Sequence, residues 1–320
     1  MKRNPRCAIF PASEMRPFYS KKLGKAYLGD ALTVMSDLPN ESVRLIVTSP
    51  PFPLTFQKKK PYESISVDRY VGWFLAYAEH FKRLLKEDGS LVIDIGGVWN
   101  KGTPTRSLYQ YRLLIALCEQ LGFHFAQDFY WYNPGALPAP AEWVNVRRIR
   151  VKSAVNLVWW LGKNPWPNAN NKNVLKEYSE DMVRLIKNGY RAKARPSGHN
   201  ITVKFRKDHG GAIPPNLLEL GNNDSTGSYL KQCQAVGLPV HPARFPRGLP
   251  DFFIRLCTEP RDVVLDPFAG SNITGEAAER RGRRWLAIEL SKDYLEGSKF
   301  RFQPGAPQLK LVTGGLPRSS

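Results

Sequence analysis

Asp266-Pro267-Phe268-Ala269-Gly270-Ser271-Asn272-Ile273-Thr274-Gly275 is the stretch that decides the fold. Before it stands Val-Val-Leu at 263–265, apolar and mostly β-branched, which predicts a buried strand. After it a helix is expected from about Thr274 to Arg281, and then a second strand over 284–289, RWLAIE. Strand, glycine-bearing turn, helix and strand make the unit of an open α/β sheet, which binds ligands at the carboxyl edge of its strands. Gly270 lets the backbone approach a ligand closely, and Ser271 and Thr274 set hydroxyls near the helix start. A phosphate loop would continue Gly-Lys-Ser/Thr, whereas Gly275 is followed by Glu276 and Ala277. Glu289 lies 23 positions after Asp266, near the roughly 20-residue spacing at which an acid meets ribose hydroxyls. Because a carboxylate repels phosphate, a nucleoside carrying a sulfonium suits this edge better than a nucleotide. Read singly, Asp266 fits a helix cap equally well, and Glu289 a solvated strand end.

The same rhythm extends upstream. A strand is expected at 25–29, ending at Asp30 with a helix over Ala31–Leu38, and another at 43–48, VRLIVT. Ser49-Pro50-Pro51 must stop that second strand, since prolines supply no ladder donors. Val71, Phe74, Leu75, Ala78, Phe81 and Leu85 recur at helical spacing between Asp68 and Lys86, and Gly89 is expected to close the helix. A buried strand at 90–95, a helix at 107–121 and a strand at 123–132 follow. Late in the chain, helices are expected at Pro250–Thr258 and from Ser291. Such alternation predicts an α/β, Rossmann-like fold with a mostly parallel sheet covered on both faces. Between 163 and 240 it gives way to Pro, Asn, Gly and basic residues, which reads as an inserted lobe outside the sheet. The expected divisions are 25–162, 163–240, 241–302 and a tail at 303–320, with no internal repeat.

The chain of 320 residues carries 47 Lys and Arg against 28 Asp and Glu, a formal charge of +19. A polyanionic partner is the natural expectation, although a merely basic enzyme would look the same. Positive runs stand at Lys58–Lys60, at 147–152 (RRIRVK) and over 184–207, where Arg184, Lys187, Arg191, Lys193, Arg195, Lys204, Arg206 and Lys207 have no acid among them. Cys7, Cys118, Cys233 and Cys257 form no CxxC pair, so free thiols and no metal are expected. No apolar run reaches the roughly 18 residues of a membrane span, and the basic N-terminus lacks a signal-like core. A cytoplasmic protein without membrane association is the expectation.

Thr48-Ser49-Pro50-Pro51-Phe52 offers a second chemistry. An exocyclic amine has two N–H donors, which the Ser49 hydroxyl and the Pro50 carbonyl could accept while Phe52 stacks on the ring. Holding those bonds out of the ring plane would turn the nitrogen lone pair toward an electrophilic methyl, which is catalysis by positioning. The thiolate of a cytosine-C5 enzyme usually stands in a Pro-Cys dipeptide, and the chain has none. Asp94 sits inside the apolar strand 90–95 and needs a partner there; it is expected either to orient Ser49 and accept a proton through it, or to make a structural hydrogen bond.

Together the two turns resemble the permuted (β-class) DNA amino-methyltransferases of the N4-cytosine type, in which the catalytic tetrapeptide precedes the S-adenosylmethionine (AdoMet) turn. The likeness runs over roughly 25–302, through Gly29-Asp30, Ser49–Phe52, 89–97, 128–134, 142–145, 195–199, 213–218, 241–246 and 266–275. N6-adenine relatives of this order usually carry Asp-Pro-Pro-Tyr. The resemblance implies that Asp266, Phe268, Gly270, Ser271 and Thr274 surround AdoMet, that Glu289 binds its ribose and that Asp30 lies near its adenine. It further marks Ser49, Pro50, Pro51 and Phe52 as the catalytic tetrapeptide, to which the reading of the strand 90–95 adds Asp94 as a fifth catalytic candidate, and places His241–Pro246 beside the methionine moiety. Many relatives have Gly at 272 and Thr at 273, where this chain has Asn272 and Ile273. Double-stranded DNA is the implied partner, read by the lobe at 163–240, with the target base swung out of the stack and Phe52, Trp131 and Tyr132 as candidates to stack on it. A cognate restriction endonuclease would be the genetic partner. Adenine N6 as the target, an RNA substrate and a non-enzymatic DNA-binding protein remain the alternatives, and the oligomeric state is not legible.

Overall fold

The computed structural model describes residues 16–53, 65–189, 207–221 and 227–303. In chain order the strands are β1 (Tyr19–Ser20), β2 (Gly24–Leu28), β3 (Val43–Thr48), β4 (Leu85–Ile95), β5 (His124–Tyr132), β6 (Val155–Gly162), β7 (Leu217–Glu219), β8 (Val263–Asp266) and β9 (Arg284–Glu289). The helices are α1 (Ala31–Ser36), α2 (Val67–Leu84), α3 (Tyr109–Glu119), α4 (Glu180–Asn188), α5 (Ser228–Ala235), α6 (Gly248–Cys257), α7 (Ile273–Arg280) and α8 (Lys292–Ser298). Two compact units result. One holds the described residues up to Ala169 and from Asn216 onward; the other holds the described residues between Asn170 and Pro215.

In the first unit a single sheet has the order β1-β2-β9-β8-β3-β4-β6-β5-β7. β2, β9, β8, β3 and β4 run parallel to one another, as the alternation of strands and helices predicts. β8 leads through α7 to β9 on one side, whereas its neighbour β3 leads through α2 to β4 on the other. That divergence opens a crevice at the carboxyl ends of β8 and β3, the usual place for a ligand in an open α/β sheet. Leu45, Ile46, Leu91, Ile93 and Leu265 have no exposed surface, and each contributes about 1.5–3 kcal/mol by its burial. Ile46, Leu91, Ile93 and Leu265 join one apolar cluster with Phe74, Phe81, Leu113 and Leu117 of α2 and α3.

Three features depart from the sequence reading. β6 was not expected, because its apolar run follows directly on the basic stretch 147–152; it pairs antiparallel with both β4 and β5. Gly89 does not close a helix. α2 ends at Leu84, and Gly89 lies within β4, where a Cβ would come 2.9 Å from the Lys86 carbonyl and 3.1 Å from that of Arg44. Part of the stretch 163–240 belongs to the sheet after all, since β7 pairs with β5 through Tyr130 and Leu217.

The second unit contains a 3-10 turn at Asn171–Val174, a bridge between Lys176 and Ala212, and α4. Ser179 caps α4 by accepting from the Met182 amide at 3.3 Å. No residue of α4 is buried, and Arg184 and Lys187 stand on it. The other basic positions expected at 191–206, the run Lys58–Lys60 and the tail from 304 lie outside the described residues. No helix of the described residues is long and apolar enough to cross a membrane. Among the described residues no group of three or more His, Cys, Asp or Glu could hold a metal ion.

Candidate active site

Five adjacent parallel strands each deliver one polar side chain to the same edge. In spatial order these are Asp30 after β2, Glu289 of β9, Asp266 of β8, Ser49 after β3 and Asp94 of β4. With neighbouring strands about 4.8 Å apart, the row is roughly 19 Å long. The sequence separation between its halves vanishes in space: Thr48 Oγ1 donates to Asp266 Oδ1 at 2.8 Å. The Ser-Pro-Pro turn and the glycine turn therefore share one crevice.

On the β8 side, Asp266 is buried and organises its own turn. Its Oδ1 also accepts from the Phe268 amide at 3.2 Å, and its Oδ2 accepts from Thr274 Oγ1 at 2.6 Å. Burial pushes its pKa up to about 6, against the lowering effect of those donors. Glu289 accepts from the Gly270 amide at 2.8 Å and the Ser291 amide at 2.8 Å, and burial raises its pKa. Gly270 has φ +50°, in the left-handed region, and a Cβ there would come within 3.0 Å of the His241 ring. His241 itself packs edge-on against Tyr294 at 4.7 Å, and burial lowers its pKa to about 4. Asp30 caps α1 by accepting from the Thr33 amide at 3.1 Å, while the adjoining Gly29 amide donates to the Glu289 carbonyl at 3.1 Å.

On the β3 side, Ser49 Oγ donates to Asp94 Oδ2 at 3.1 Å. The other oxygen, Oδ1, is buried without a hydrogen-bond partner among the described residues. Burial raises the Asp94 pKa to about 7 despite the bond from Ser49. Pro50 is buried and Pro51 partly so. Phe52 packs closely against the backbone of Gly96, where a Cβ would meet its ring at 2.5 Å. Trp131, by contrast, is committed to the interior: it is buried and its indole Nε1 donates to the Leu220 carbonyl at 2.8 Å. It is not placed to stack on a base.

Several neighbours escaped the sequence reading. Trp73 and Tyr77 of α2 pack on Phe268 with ring centroids 5.8 and 5.0 Å away, giving the crevice an aromatic wall at its Asp30 end. Their signal was present, since both lie one helical turn apart on α2. Arg301 reaches back to the glycine turn, donating from Nε to the Ser271 carbonyl at 2.6 Å and from a terminal nitrogen to Ser271 Oγ at 2.9 Å. Asn272 has φ +55°, caps Gly275 through Oδ1 at 3.0 Å, and donates to the Tyr19 hydroxyl at 2.8 Å. No sequence pattern announces Tyr19 or Arg301, because their partners lie 253 and 30 positions away.

The donor set fits a sulfonium nucleoside. Two buried carboxylates face the crevice, and the groups bonded to them are amides and hydroxyls rather than Lys or Arg. Fold and site together define a Rossmann-like, AdoMet-dependent methyltransferase. Comparison with known proteins narrows the class. The family model for DNA methylases, joining N6 and N4 enzymes, matches residues 43–300. The type II methyltransferase M.PvuII of Proteus hauseri is 49% identical over 290 residues, covering 90% of this chain and 86% of that protein. A solved structure of the PvuII DNA methyltransferase (cytosine-N4-specific) aligns with TM-score 0.74 and 42% identity over 92% of both chains. The DNA adenine methyltransferase YhdJ of Escherichia coli is 24% identical, covering 91% of this chain and 90% of that one. The chain belongs to the N6/N4 DNA methylase family.

Proposed function

We propose that the chain is a site-specific DNA methyltransferase that transfers a methyl group from AdoMet to N4 of cytosine, as the modification enzyme of a restriction–modification system acting in the cytoplasm. The observation that carries this reading is the Thr48–Asp266 hydrogen bond, which joins the amine-binding turn to the cofactor turn. AdoMet, when bound, supplies an electrophilic methyl on a sulfonium. Glu289 would accept hydrogen bonds from the ribose hydroxyls, for which its carboxylate retains lone pairs beyond those taken by Gly270 and Ser291. Gly270 and Ser271 contribute close backbone, Phe268 with Tyr77 and Trp73 forms the apolar wall, and Asp30 stands at the adenine end. Thr274 holds Asp266 in place.

Ser49 spends its O–H on Asp94, so its oxygen lone pairs face the incoming amine as acceptors. The Pro50 carbonyl takes the second N–H, Pro51 stiffens the turn, and Phe52 presents a ring that the close Gly96 backbone keeps in place. Pinned in this way, the nitrogen aims its lone pair along the row toward the cofactor turn. The proton released on transfer passes from the amine to Ser49 as the Ser49 proton moves to Asp94, whose pKa near 7 suits reversible uptake.

Adenine N6 is the second reading, favoured by the adenine methyltransferase among the relatives. Incubating DNA with the protein and isotopically labelled AdoMet, digesting it to nucleosides and separating them by mass decides between the two. Label in N4-methylcytosine is expected; label confined to N6-methyladenine rejects the cytosine assignment.

A further inference from the structure

The connection 133–154 between β5 and β6 leaves the sheet at the same edge as Ser49 and Asp94, since β5 runs parallel to β4 across β6. It runs 22 residues with only a five-residue π-helical turn at Glu142–Val146, and connections of this length are uncommon in a compact unit unless they serve binding. This one is cross-tied: the Asn133 amide donates to the Ala154 carbonyl at 2.8 Å, and the Ile149 and Arg150 amides both donate to the Trp143 carbonyl, at 3.0 and 3.2 Å. It is also anchored beside the site. Arg150 Nε donates to the Pro104 carbonyl at 2.9 Å and Arg106 donates to Ser153 Oγ at 2.6 Å, so the loop is fastened to the segment that continues from β4 past Asp94 and Gly96.

Its surface is unusual in composition. Leu137 is 81% exposed, Val146 70%, Ile149 55% and Val151 87%, the densest group of exposed aliphatic side chains among the described residues. Water-facing aliphatics at this density ask for a covering partner. Arg147, Arg148, Arg150 and Lys152 are threaded among them, with Glu142 the one acid in the loop. A protein partner with an apolar face would not call for so many cations, and a phosphate backbone alone would leave the aliphatics unexplained. Duplex DNA that has lost a base from its stack supplies both phosphates and an apolar gap between base faces.

We infer that this loop is the element that enters the duplex beside the target: its cations other than the anchoring Arg150 hold the flanking phosphates, and the exposed aliphatic side chains of Ile149 and Val151 fill the space the swung-out base leaves. The inference rests on the DNA methyltransferase reading and adds to it the element that stabilises the opened duplex.

The experiment uses a duplex carrying the mapped target with the fluorescent base 2-aminopurine at the target position, whose emission rises on unstacking. At saturating protein, Ile149→Ser with Val151→Ser should reduce that rise at least threefold, while AdoMet binding stays unchanged. Arg147→Ala with Arg148→Ala should leave the rise intact at saturation and lower the slope of log affinity against log salt by about 1 for each cation removed. Both substitutions fall on exposed side chains, so folding is not at stake. An unaltered rise in the first variant together with an unaltered salt slope in the second overturns the inference. Methylation of the unmodified duplex by the unaltered chain is read in parallel, and its loss would instead strike the underlying function.

Discussion

Asp94, the proton acceptor of the proposed mechanism, is buried beneath Ser49, and that burial has consequences that can be measured separately. Its pKa rises from an ordinary 3.8 to about 7, so between those values the folded chain holds a proton that the unfolded chain has released. The stability this contributes is present below about pH 4 and is lost as pH rises through about 7. Turnover runs the other way, because only the ionised carboxylate can take up the proton passed through Ser49. Asp94→Asn should therefore melt no lower than the parent at pH 8, while single-turnover methylation falls on the order of 100-fold or more and loses its rise through pH 7. A variant with parental turnover would remove Asp94 from the mechanism. Gly270 makes a complementary case on the cofactor side. Gly270→Ala puts a Cβ at φ +50° and within 3.0 Å of the His241 ring, a cost of about 1–2 kcal/mol from the backbone alone. The expected result is an AdoMet dissociation constant raised about tenfold or more by calorimetry, with DNA affinity unchanged.

At the scale of elements, α7 is held by buried charges as much as by apolar contact. Glu276 is buried and meets Arg247 at 3.2 Å, Arg280 at 3.2 Å and Arg301 at 3.3 Å. Removing the buried carboxylate that these cations share breaks a buried ion pair with Arg301, so Glu276→Ala should cost roughly 3–5 kcal/mol in urea unfolding. Because Arg301 also braces the Ser271 carbonyl, the same variant should weaken AdoMet binding; intact affinity would show that the brace is dispensable. These long-range ties mark the limit of what the sequence conveys. The strands at 43–48 and 284–289 have the bounds read from their apolar runs, since alternation and flanking turns are local signals. Asp266, Glu289, Ser49 and Asp94 were legible because each ends or interrupts such a run. β6 was not, because nothing local separates a strand inside the sheet from an apolar stretch after a basic loop. Gly89 misled for a related reason: a glycine after a helical period looks like a stop, whereas here it admits the close approach of neighbouring backbone. Tyr19, Asn272 and Arg301 come together only after β1 and the segment following α8 fold against the glycine turn.

For the whole molecule, a formal charge of +19 and a cation-rich loop on the edge that bears the site make DNA affinity an electrostatic quantity. A protein contacting six to ten phosphates loses about 10³–10⁵ in affinity between 50 and 200 mM salt, and duplex binding followed by fluorescence anisotropy should fall in that range. A drop of less than tenfold would assign the positive charge to some other purpose. AdoMet binding, assigned by the proposed site to uncharged donors and buried carboxylates, should change little over the same titration.

The central claim is that the Ser49 turn and the Asp266 turn bring one methyl group to one amino nitrogen. A crystal structure with AdoMet and a target duplex bearing a non-reactive cytosine analogue tests it most directly. The account predicts the sulfonium methyl between Asp266 and Ser49, about 3–3.5 Å from the amine-bearing position and in line with it. Cofactor bound at any other edge of the sheet, or a target base held away from Ser49 and Pro50, would contradict it.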